Sequence, residues 1–168
     1  DGTVKVNMSK PVLSPEEIPF KGSQILNNKV KVFDKEFTFN AISMGNPHCI
    51  IFTEENDLLK TAKIYGEELE HYKLFPEKTN VEFARIISRE EIDMRVFERG
   101  CGITLACGTG ACATTVAAIL NNLTDHKVKV NLLGGPLIIE WQGSSTNTDE
   151  NVFMTGPAEY SFLAEYIL

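Results

Sequence analysis

The sequence is poor in positive charge and has no long apolar segment. Lys and Arg total 16 of 168 residues against 23 Asp and Glu, which gives a formal net charge of −7 and an isoelectric point near 5.0. This balance argues against a nucleic-acid-binding surface, which needs clustered basic residues. No apolar run approaches the roughly 20 residues of a membrane-spanning helix, and no signal peptide opens the chain. We therefore expect a small-molecule ligand and no nucleic-acid or membrane partner.

Cysteine and histidine are also scarce, and their positions argue against two kinds of site. The cysteines are Cys49, Cys101, Cys107 and Cys112, and the three histidines are scattered. These spacings fit no zinc motif, so we expect no metal. A chain of this length, with 43% hydrophobic residues, does not need a disulfide framework. Reduced thiols predict a cytoplasmic protein, although a targeting segment would be lost if the chain were cut from a longer one.

The hydrophobic pattern predicts an α+β domain. Period-two alternation marks roughly nine to eleven strands, and only two segments have helical periodicity. The first, from about 57 to 72, is an amphipathic surface helix, whereas the second, from 108 to about 122, has no charged face and should be buried. The apolar runs 49–52 and 137–139 predict strands buried on both faces. We expect strands surrounding a central hydrophobic helix, in one domain that spans residues 1–168.

The turn that precedes the second helix is the most informative part of the chain. It places Cys107 where a glycine-rich segment opens into an apolar helix. Unpaired backbone N–H groups and the positive end of the helix dipole favour an anion at such a position. We therefore expect a lowered thiol pKa and a catalytic thiolate at Cys107, with room for a substrate carboxylate on the same turn. The alternative is an inert thiol in a helix that packs closely against the sheet.

Five separated segments follow the order found in a known family. They are 45–48 (Gly-Asn-Pro-His), 79–83 (Thr-Asn-Val-Glu-Phe), 98–100 (Glu-Arg-Gly), the turn at Cys107 and 154–157 (Met-Thr-Gly-Pro). With them the chain resembles diaminopimelate epimerase over nearly its whole length. The resemblance implies a mixed, mostly antiparallel, barrel-like sheet wrapped around the central helix. It also implies epimerisation of LL-diaminopimelate to the meso form, for lysine and peptidoglycan synthesis, by two cysteines and no cofactor.

The same resemblance implies which residues carry the reaction. Cys107 corresponds to one of the two catalytic thiols, and His48 and Glu98 correspond to residues that tune the reactive thiol. An amino-acid α-proton is very weakly acidic, so a base has to act while the developing carbanion is stabilised electrostatically. Inversion further requires a base on one face of the carbon and an acid on the other. No motif for binding pyridoxal phosphate is present.

Substrate binding is implied for six positions. The backbone N–H groups at the start of the second helix would hold the carboxylate at the reacting end, which agrees with the chemistry of helix termini. An acid, a guanidinium and two side-chain amides would bind the distal ammonium and carboxylate. These substrate-binding residues are Asn46, Asn80, Glu98, Arg99, Gly108 and Thr109.

The chain also departs from the family pattern. The Asn-Cys-Gly-Asn-Gly type motif of the first catalytic cysteine is missing, so we expect the C-terminal half of a two-domain epimerase, inactive alone, whose partner is the missing N-terminal domain. An apolar face that the missing domain would cover is expected to make this half self-associate, for example as a homodimer. Ile103 stands where the family usually carries Glu, which is expected to weaken activity or mark a divergent member.

Two other functions remain open at this stage. The first is a related isomerase without pyridoxal phosphate, of the proline racemase or phenazine-biosynthesis type. Glu98, Arg99 and Asn80 favour a substrate with two charged ends over proline. The second is a binding module that uses the fold without chemistry, since one of the two cysteines is absent and a fold alone does not establish a function.

Overall fold

A computed structural model describes residues 2–160 and 162–166, which form ten strands and two α-helices. In chain order these are β1 (Thr3–Asn7), β2 (Asn28–Val32), β3 (Lys35–Ser43), β4 (Pro47–Phe52), α1 (Leu58–Glu70), β5 (Asn80–Ser88), β6 (Glu91–Glu98), β7 (Gly102–Ile103), α2 (Gly108–Leu120), β8 (Lys127–Leu132), β9 (Gly135–Trp141) and β10 (Val152–Pro157).

All ten strands belong to one mixed sheet. The strand order is β1-β10-β9-β8-β6-β5-β4-β3-β2, and the short β7 pairs with β6. Neighbouring strands are antiparallel except in two pairs, β4 with β5 and β6 with β8. Helix α2 packs against β3, β4, β5, β8, β9 and β10, so strands from both halves of the sheet surround it. The predicted α+β fold, a mostly antiparallel sheet around a central helix, is confirmed.

Helix α2 is buried because its surface is apolar and made of small side chains. Every residue from Gly110 to Ala118 is buried. Alanine, glycine and threonine let the surrounding strands approach closely, and larger side chains on those strands fill the remaining space. Among them are Met94, Ile139 and Trp141, all fully buried. We call this group around α2 the inner cluster.

Helix α1 covers the opposite face of the sheet and is amphipathic as predicted. Asp57 caps it by accepting the Lys60 N–H at 2.9 Å. Its buried face includes Leu58, Ala62 and Leu69. These pack on a second group of apolar side chains, the outer cluster, which contains aromatic residues of the sheet: Phe37, Phe39 and Phe83. Neither described helix is long and apolar enough to cross a membrane.

The central strands are buried on both faces because one cluster lies on each side of them. In β4, Cys49 and Ile51 point to the outer cluster and Ile50 points to the inner one, which confirms the prediction for 49–52. The same prediction for 137–139 is wrong. In β9, Ile139 is buried against α2 while Ile138 stays partly exposed, since α1 packs on β5 and β6.

Candidate active site

The strand register brings most of the predicted site residues to one edge of the sheet. The parallel pairing of β4 and β5 sets His48 beside Asn80, and the antiparallel pairing of β5 and β6 sets Val81 beside Phe97. The starts of β4 and β5 and the end of β6 therefore meet. The turn that carries Glu98 and its neighbours lies at this edge, and so does the N-terminus of α2.

Cys107 is the N-cap of α2. Its sulfur accepts the Gly110 N–H at 3.3 Å and lies 3.5 Å from the Thr109 hydroxyl oxygen. The residue is 7% exposed. Within the described part of the chain, the N–H groups of Gly108 and Thr109 have no acceptor, as expected for the first turn of a helix. The helix thus offers free donors next to a nearly buried thiol, in line with the sequence prediction for this turn.

The thiol chemistry differs from the expectation in one respect. Burial, and then the carboxylate of Glu82, raise the pKa of Cys107 to about 11, from an ordinary value of 9.0. The hydrogen bonds from Thr109 and Gly110 lower this pKa but do not outweigh burial. The predicted direction, a lowered pKa at the helix terminus, is therefore wrong for this chain. Cys107 is a neutral thiol near pH 7.

Beneath the first turn of α2 lies a buried chain of three polar side chains. Nδ1 of His48 is 2.7 Å from Oε1 of Glu82, and Nε2 of His48 is 3.0 Å from Oδ1 of Asn46. His48 and Glu82 are fully buried, whereas Asn46 is partly exposed. Both ring nitrogens of His48 are therefore engaged, and its ring does not contact Cys107 through a hydrogen bond among the described residues. Glu82, which is bonded to His48, is the member of this chain whose charge acts on the pKa of Cys107.

Gly110 allows Glu82 and Cys107 to approach each other. A Cβ at residue 110 would lie 2.7 Å from Oε1 of Glu82 and 3.2 Å from the sulfur of Cys107. Both side chains are thus in contact with the same point of the helix backbone. Desolvation raises the pKa of the Glu82 carboxyl, and His48 offsets part of that increase. The glycine is needed here for space, since only a residue without a side chain fits between helix and carboxyl group.

Asn80 connects the start of β4 to the turn that follows β6. Its side-chain oxygen accepts the Arg99 N–H at 3.0 Å, and its side-chain nitrogen donates to the Pro47 carbonyl at 2.9 Å. Asn80 is 3% exposed. The amide that the sequence suggested for substrate binding already holds two backbone segments, with one N–H and one lone pair left over. A second buried group, the Glu70 carboxylate, accepts the Gly100 N–H at 2.8 Å and holds the same turn.

The two charged residues of that turn differ in environment. Glu98 is partly exposed and accepts a hydrogen bond from the Thr104 hydroxyl. Arg99 is exposed, and its guanidinium donates to the Glu77 carbonyl at 3.2 Å. The negative charge of Glu98 is a further cause of the raised pKa of Cys107, smaller than burial and the charge of Glu82. The guanidinium is thus exposed and holds one carbonyl of the main chain, whereas the Glu98 carboxylate is oriented by Thr104.

The remaining residues of interest lie around this edge. Ile103, in β7, packs against the outer cluster and so points away from Cys107. Met154, in β10, reaches the start of α2, because a Cβ at Gly108 would meet its sulfur at 3.0 Å. Cys101 is exposed, while Cys49 and Cys112 are core residues as predicted, and all four cysteines are free.

Glu82 is the site residue that the sequence did not single out. It belongs to the segment 79–83, but an acid that alternates with apolar residues in a strand normally faces solvent. In the structure the residues from Asn80 to Ala84 are all buried, which the sequence alternation of this strand does not show. Within the described residues, no group of three or more His, Cys, Asp or Glu side chains is arranged to hold a metal ion.

Comparison with known proteins agrees with this geometry. A family model described as diaminopimelate epimerase matches residues 40–161. The diaminopimelate epimerases of Desulfitobacterium hafniense and Halothermothrix orenii are each 48% identical to the chain, over 95% and 98% of it. A rice relative named as the chloroplastic enzyme is 44% identical over 96% of the chain. The chain spans 55% and 57% of the two bacterial relatives and 48% of the rice one.

Solved structures with the same fold have lower sequence identity. A probable proline racemase from Agrobacterium radiobacter K84 superposes with a TM-score of 0.69 at 12% identity, over 99% of this chain and 54% of its own. A hydroxyproline epimerase from Agrobacterium vitis superposes with a TM-score of 0.65 at 13% identity, over 93% of this chain and 50% of its own. At these identities the likeness concerns the fold.

Proposed function

The chain belongs to the diaminopimelate epimerase family, and we propose that it supplies one of two proton-transferring thiols, Cys107, for the epimerisation of LL-diaminopimelate to the meso form. This reaction serves lysine and peptidoglycan synthesis and takes place in the cytoplasm. The observation that carries the proposal is the position of Cys107: a nearly buried thiol at a helix N-terminus whose next two N–H groups are free.

The protonation state of Cys107 defines its task in the first half of the reaction. Because its pKa is raised to about 11, the resting thiol carries a proton and acts as the general acid. A thiolate on the opposite face of the α-carbon removes the α-proton, and the electron pair left on carbon takes the proton from the sulfur of Cys107. The carbon is inverted, Cys107 becomes the thiolate, and proton exchange restores the starting state. In the reverse direction the same sulfur acts as the base.

The start of α2 also stabilises the charge that develops during transfer. A carboxylate bound to the N–H groups of Gly108 and Thr109 lies next to the sulfur of Cys107, so its α-carbon is within reach. Negative charge moves from the α-carbon into this carboxylate as the proton leaves. Two fixed donors and the helix dipole then stabilise the carbanion more than the substrate, which is what lowers the barrier.

The distal end of the substrate binds at the turn that follows β6. Arg99 extends an exposed guanidinium able to bind the distal carboxylate, and Glu98 offers a carboxylate to the distal ammonium. Asn46 adds a polar group at the partly exposed end of the hydrogen-bonded series of Glu82, His48 and Asn46. Asn80 acts mainly by fixing the two turns relative to each other. A substrate with a charged group at only one end leaves Glu98 and Arg99 unused, which disfavours proline.

The second thiol belongs to an N-terminal domain that this chain does not contain. The bacterial relatives are longer, with 55% and 57% of their lengths matched. Residues 1–168 then form the C-terminal domain of a two-domain enzyme and do not epimerise alone. The missing domain is the main partner, and the apolar surface that it would cover includes Leu105, which is 69% exposed two residues before Cys107. Self-association of the isolated chain, for instance as a homodimer, follows from this exposure.

The test follows α-proton exchange and inversion of LL-diaminopimelate in deuterated solvent. It compares the longer two-domain protein, its Cys107→Ala and Cys112→Ala variants, and the 168-residue chain. Cys112 is a matched control because it lies on the same helix but is packed in the inner cluster. We expect exchange and inversion in the two-domain protein and in Cys112→Ala, and a loss of about 10²–10⁴-fold in Cys107→Ala, as is typical for a residue that performs proton transfer. Inversion by Cys107→Ala at the normal rate refutes the role of this thiol. No turnover of diaminopimelate by the two-domain protein, with turnover of proline, shifts the function to the racemases.

A further inference from the structure

Glu82 is a fully buried acid with an incomplete set of partners. Oε1 contacts Nδ1 of His48 at 2.7 Å, whereas Oε2 is buried and has no hydrogen-bond partner in the part of the chain that the structure describes. The oxygens of a buried carboxyl group normally each have a hydrogen-bond partner, because an unpaired one loses its hydration without compensation. A residue that only filled space at this position would be apolar. A buried acid with one unpaired oxygen therefore points to a role for its charge.

Four groups that face Glu82 come from three elements. His48 lies on β4, Glu98 on β6 and Cys107 at the start of α2, while Cys49, also on β4, is near enough for the charge of Glu82 to raise its pKa. Neither lysine nor arginine is among the groups that shift the pKa of Glu82. Among the described residues, His48 is thus the side chain that stabilises the charged form of Glu82, and the carboxyl group lies beside the thiol.

We propose that Glu82 is a positioning residue of this site, which anchors the His48 ring through Nδ1–H and keeps the neighbouring Cys107 sulfur in the thiol form between turnovers. The catalytic use of this arrangement rests on the proposed function, whereas the effect of Glu82 on His48 and Cys107 does not depend on it. With Nδ1–H donating a hydrogen bond to the Glu82 carboxylate, Nε2 faces the Asn46 side chain at the open side of the site. With a negative carboxylate near the sulfur, a thiolate is disfavoured until substrate binding or turnover changes the local charge.

The proposal predicts how fast Cys107 is alkylated. In a Cys101→Ser background, which removes the exposed thiol, the chain is treated with iodoacetamide at several pH values, and modification of Cys107 is followed by mass spectrometry. The neutral amide Glu82→Gln keeps the shape and removes the charge. Its profile should move down by about one pH unit, which raises the rate at pH 8 about tenfold, because one pKa unit corresponds to a tenfold change in thiolate. The Glu82→Asp variant retains the charge and should keep most of the original profile.

A matched control separates charge from packing. Thr114 is also fully buried, lies on α2, and donates to the Met94 sulfur at 3.2 Å. Thr114→Val disturbs a buried polar group of the same helix without changing any charge near Cys107. Its alkylation profile should match that of the parent. A Glu82→Gln profile that is unchanged, or that moves only as much as Thr114→Val, overturns the proposal.

A second measurement is made on the chain without any substitution, so it does not depend on whether a variant folds. In the ¹⁵N-labelled parent chain, nuclear magnetic resonance locates the ring proton of His48. We expect it on Nδ1, with the downfield shift of a short hydrogen bond to a carboxylate. A His48 ring that lacks the Nδ1 proton at neutral pH overturns the proposal. Neither experiment involves turnover, so a two-domain protein that fails to epimerise diaminopimelate refutes the proposed function and leaves these results intact.

Discussion

Replacing Gly110 by Ala is expected to destabilise the protein although it places a better helix former in a helix. The new Cβ would lie 2.7 Å from Oε1 of Glu82, 3.2 Å from the Cys107 sulfur and 3.3 Å from the Cys107 Cβ. Glu82 has little freedom to move away, because it is fully buried and bonded to His48. Overpacking of this kind costs about 1–3 kcal/mol, and the helix preference for Ala returns up to about 1 kcal/mol. We expect a net loss of about 1–2 kcal/mol in the free energy of unfolding.

Gly108 provides the matched substitution. A Cβ there would meet only the Met154 side chain, at 3.0 Å from the sulfur and 3.3 Å from Cε. A methionine side chain adapts easily, so Gly108→Ala should be neutral or slightly stabilising. Urea unfolding measures both variants, with the fluorescence of Trp141 as the probe, because this tryptophan is unique in the chain and fully buried in the inner cluster. If Gly110→Ala is as stable as Gly108→Ala, the close approach of α2 to Glu82 is wrong.

Three further outcomes follow from the structure. Burial raises the pKa of Cys107 to about 11 and that of Cys112 to about 12 from 9.0, so the folded state binds these two protons more tightly than the unfolded state. The contribution of each thiol to the free energy of unfolding is therefore fully present below pH 9 and falls above it, by up to about 1.4 kcal/mol per pH unit. Urea unfolding at pH 8 and 10.5 should show a smaller decrease for Cys112→Ala than for the parent. Asn121→Ala removes the hydrogen bond to Oδ1 of Asn40, 3.1 Å long, at the end of α2 and should cost about 1–3 kcal/mol in the same assay; a change within error would show that this amide is dispensable. Ile103→Glu should leave the alkylation rate of Cys107 unchanged while lowering the unfolding free energy by about 1 kcal/mol, since the side chain packs on the outer cluster; altered alkylation would place residue 103 in the site.

The fold was largely predictable because the surface of one helix is amphipathic and that of the other is apolar on every side. Helix α1 alternates apolar and charged residues at helical spacing, and α2 has no charged face, so one had to lie on the surface and the other inside. The strand at 137–139 was located correctly, but its burial on both faces was wrong, because the hydrophobic pattern of one strand does not show whether a helix covers its second face. That information lies in the sheet topology.

The site was predictable where a residue's role depends on local geometry. The N-cap position of Cys107 and the free donors that follow it come directly from the start of a helix. Its pKa was not predictable, because the shift depends on strands that bury the helix terminus and on Glu82, which is 25 residues earlier in the chain. The double attachment of Asn80 likewise involves Pro47 and Arg99, two segments that only the strand register brings together.

The pairing of β1 with β10 has a consequence for biosynthesis. Thr3 is opposite Pro157 and Asn7 is opposite Phe153, so the first strand of the chain pairs with the last. On a ribosome that adds about 5–20 residues per second, β1 waits on the order of ten to thirty seconds before its partner is synthesised. During that time its backbone donors and acceptors are unpaired, and Val4 and Val6 are available to other strands. The lysine at position 5, between these two valines, opposes such mispairing, so Lys5→Val should increase aggregation of newly made protein more than it changes the folded state.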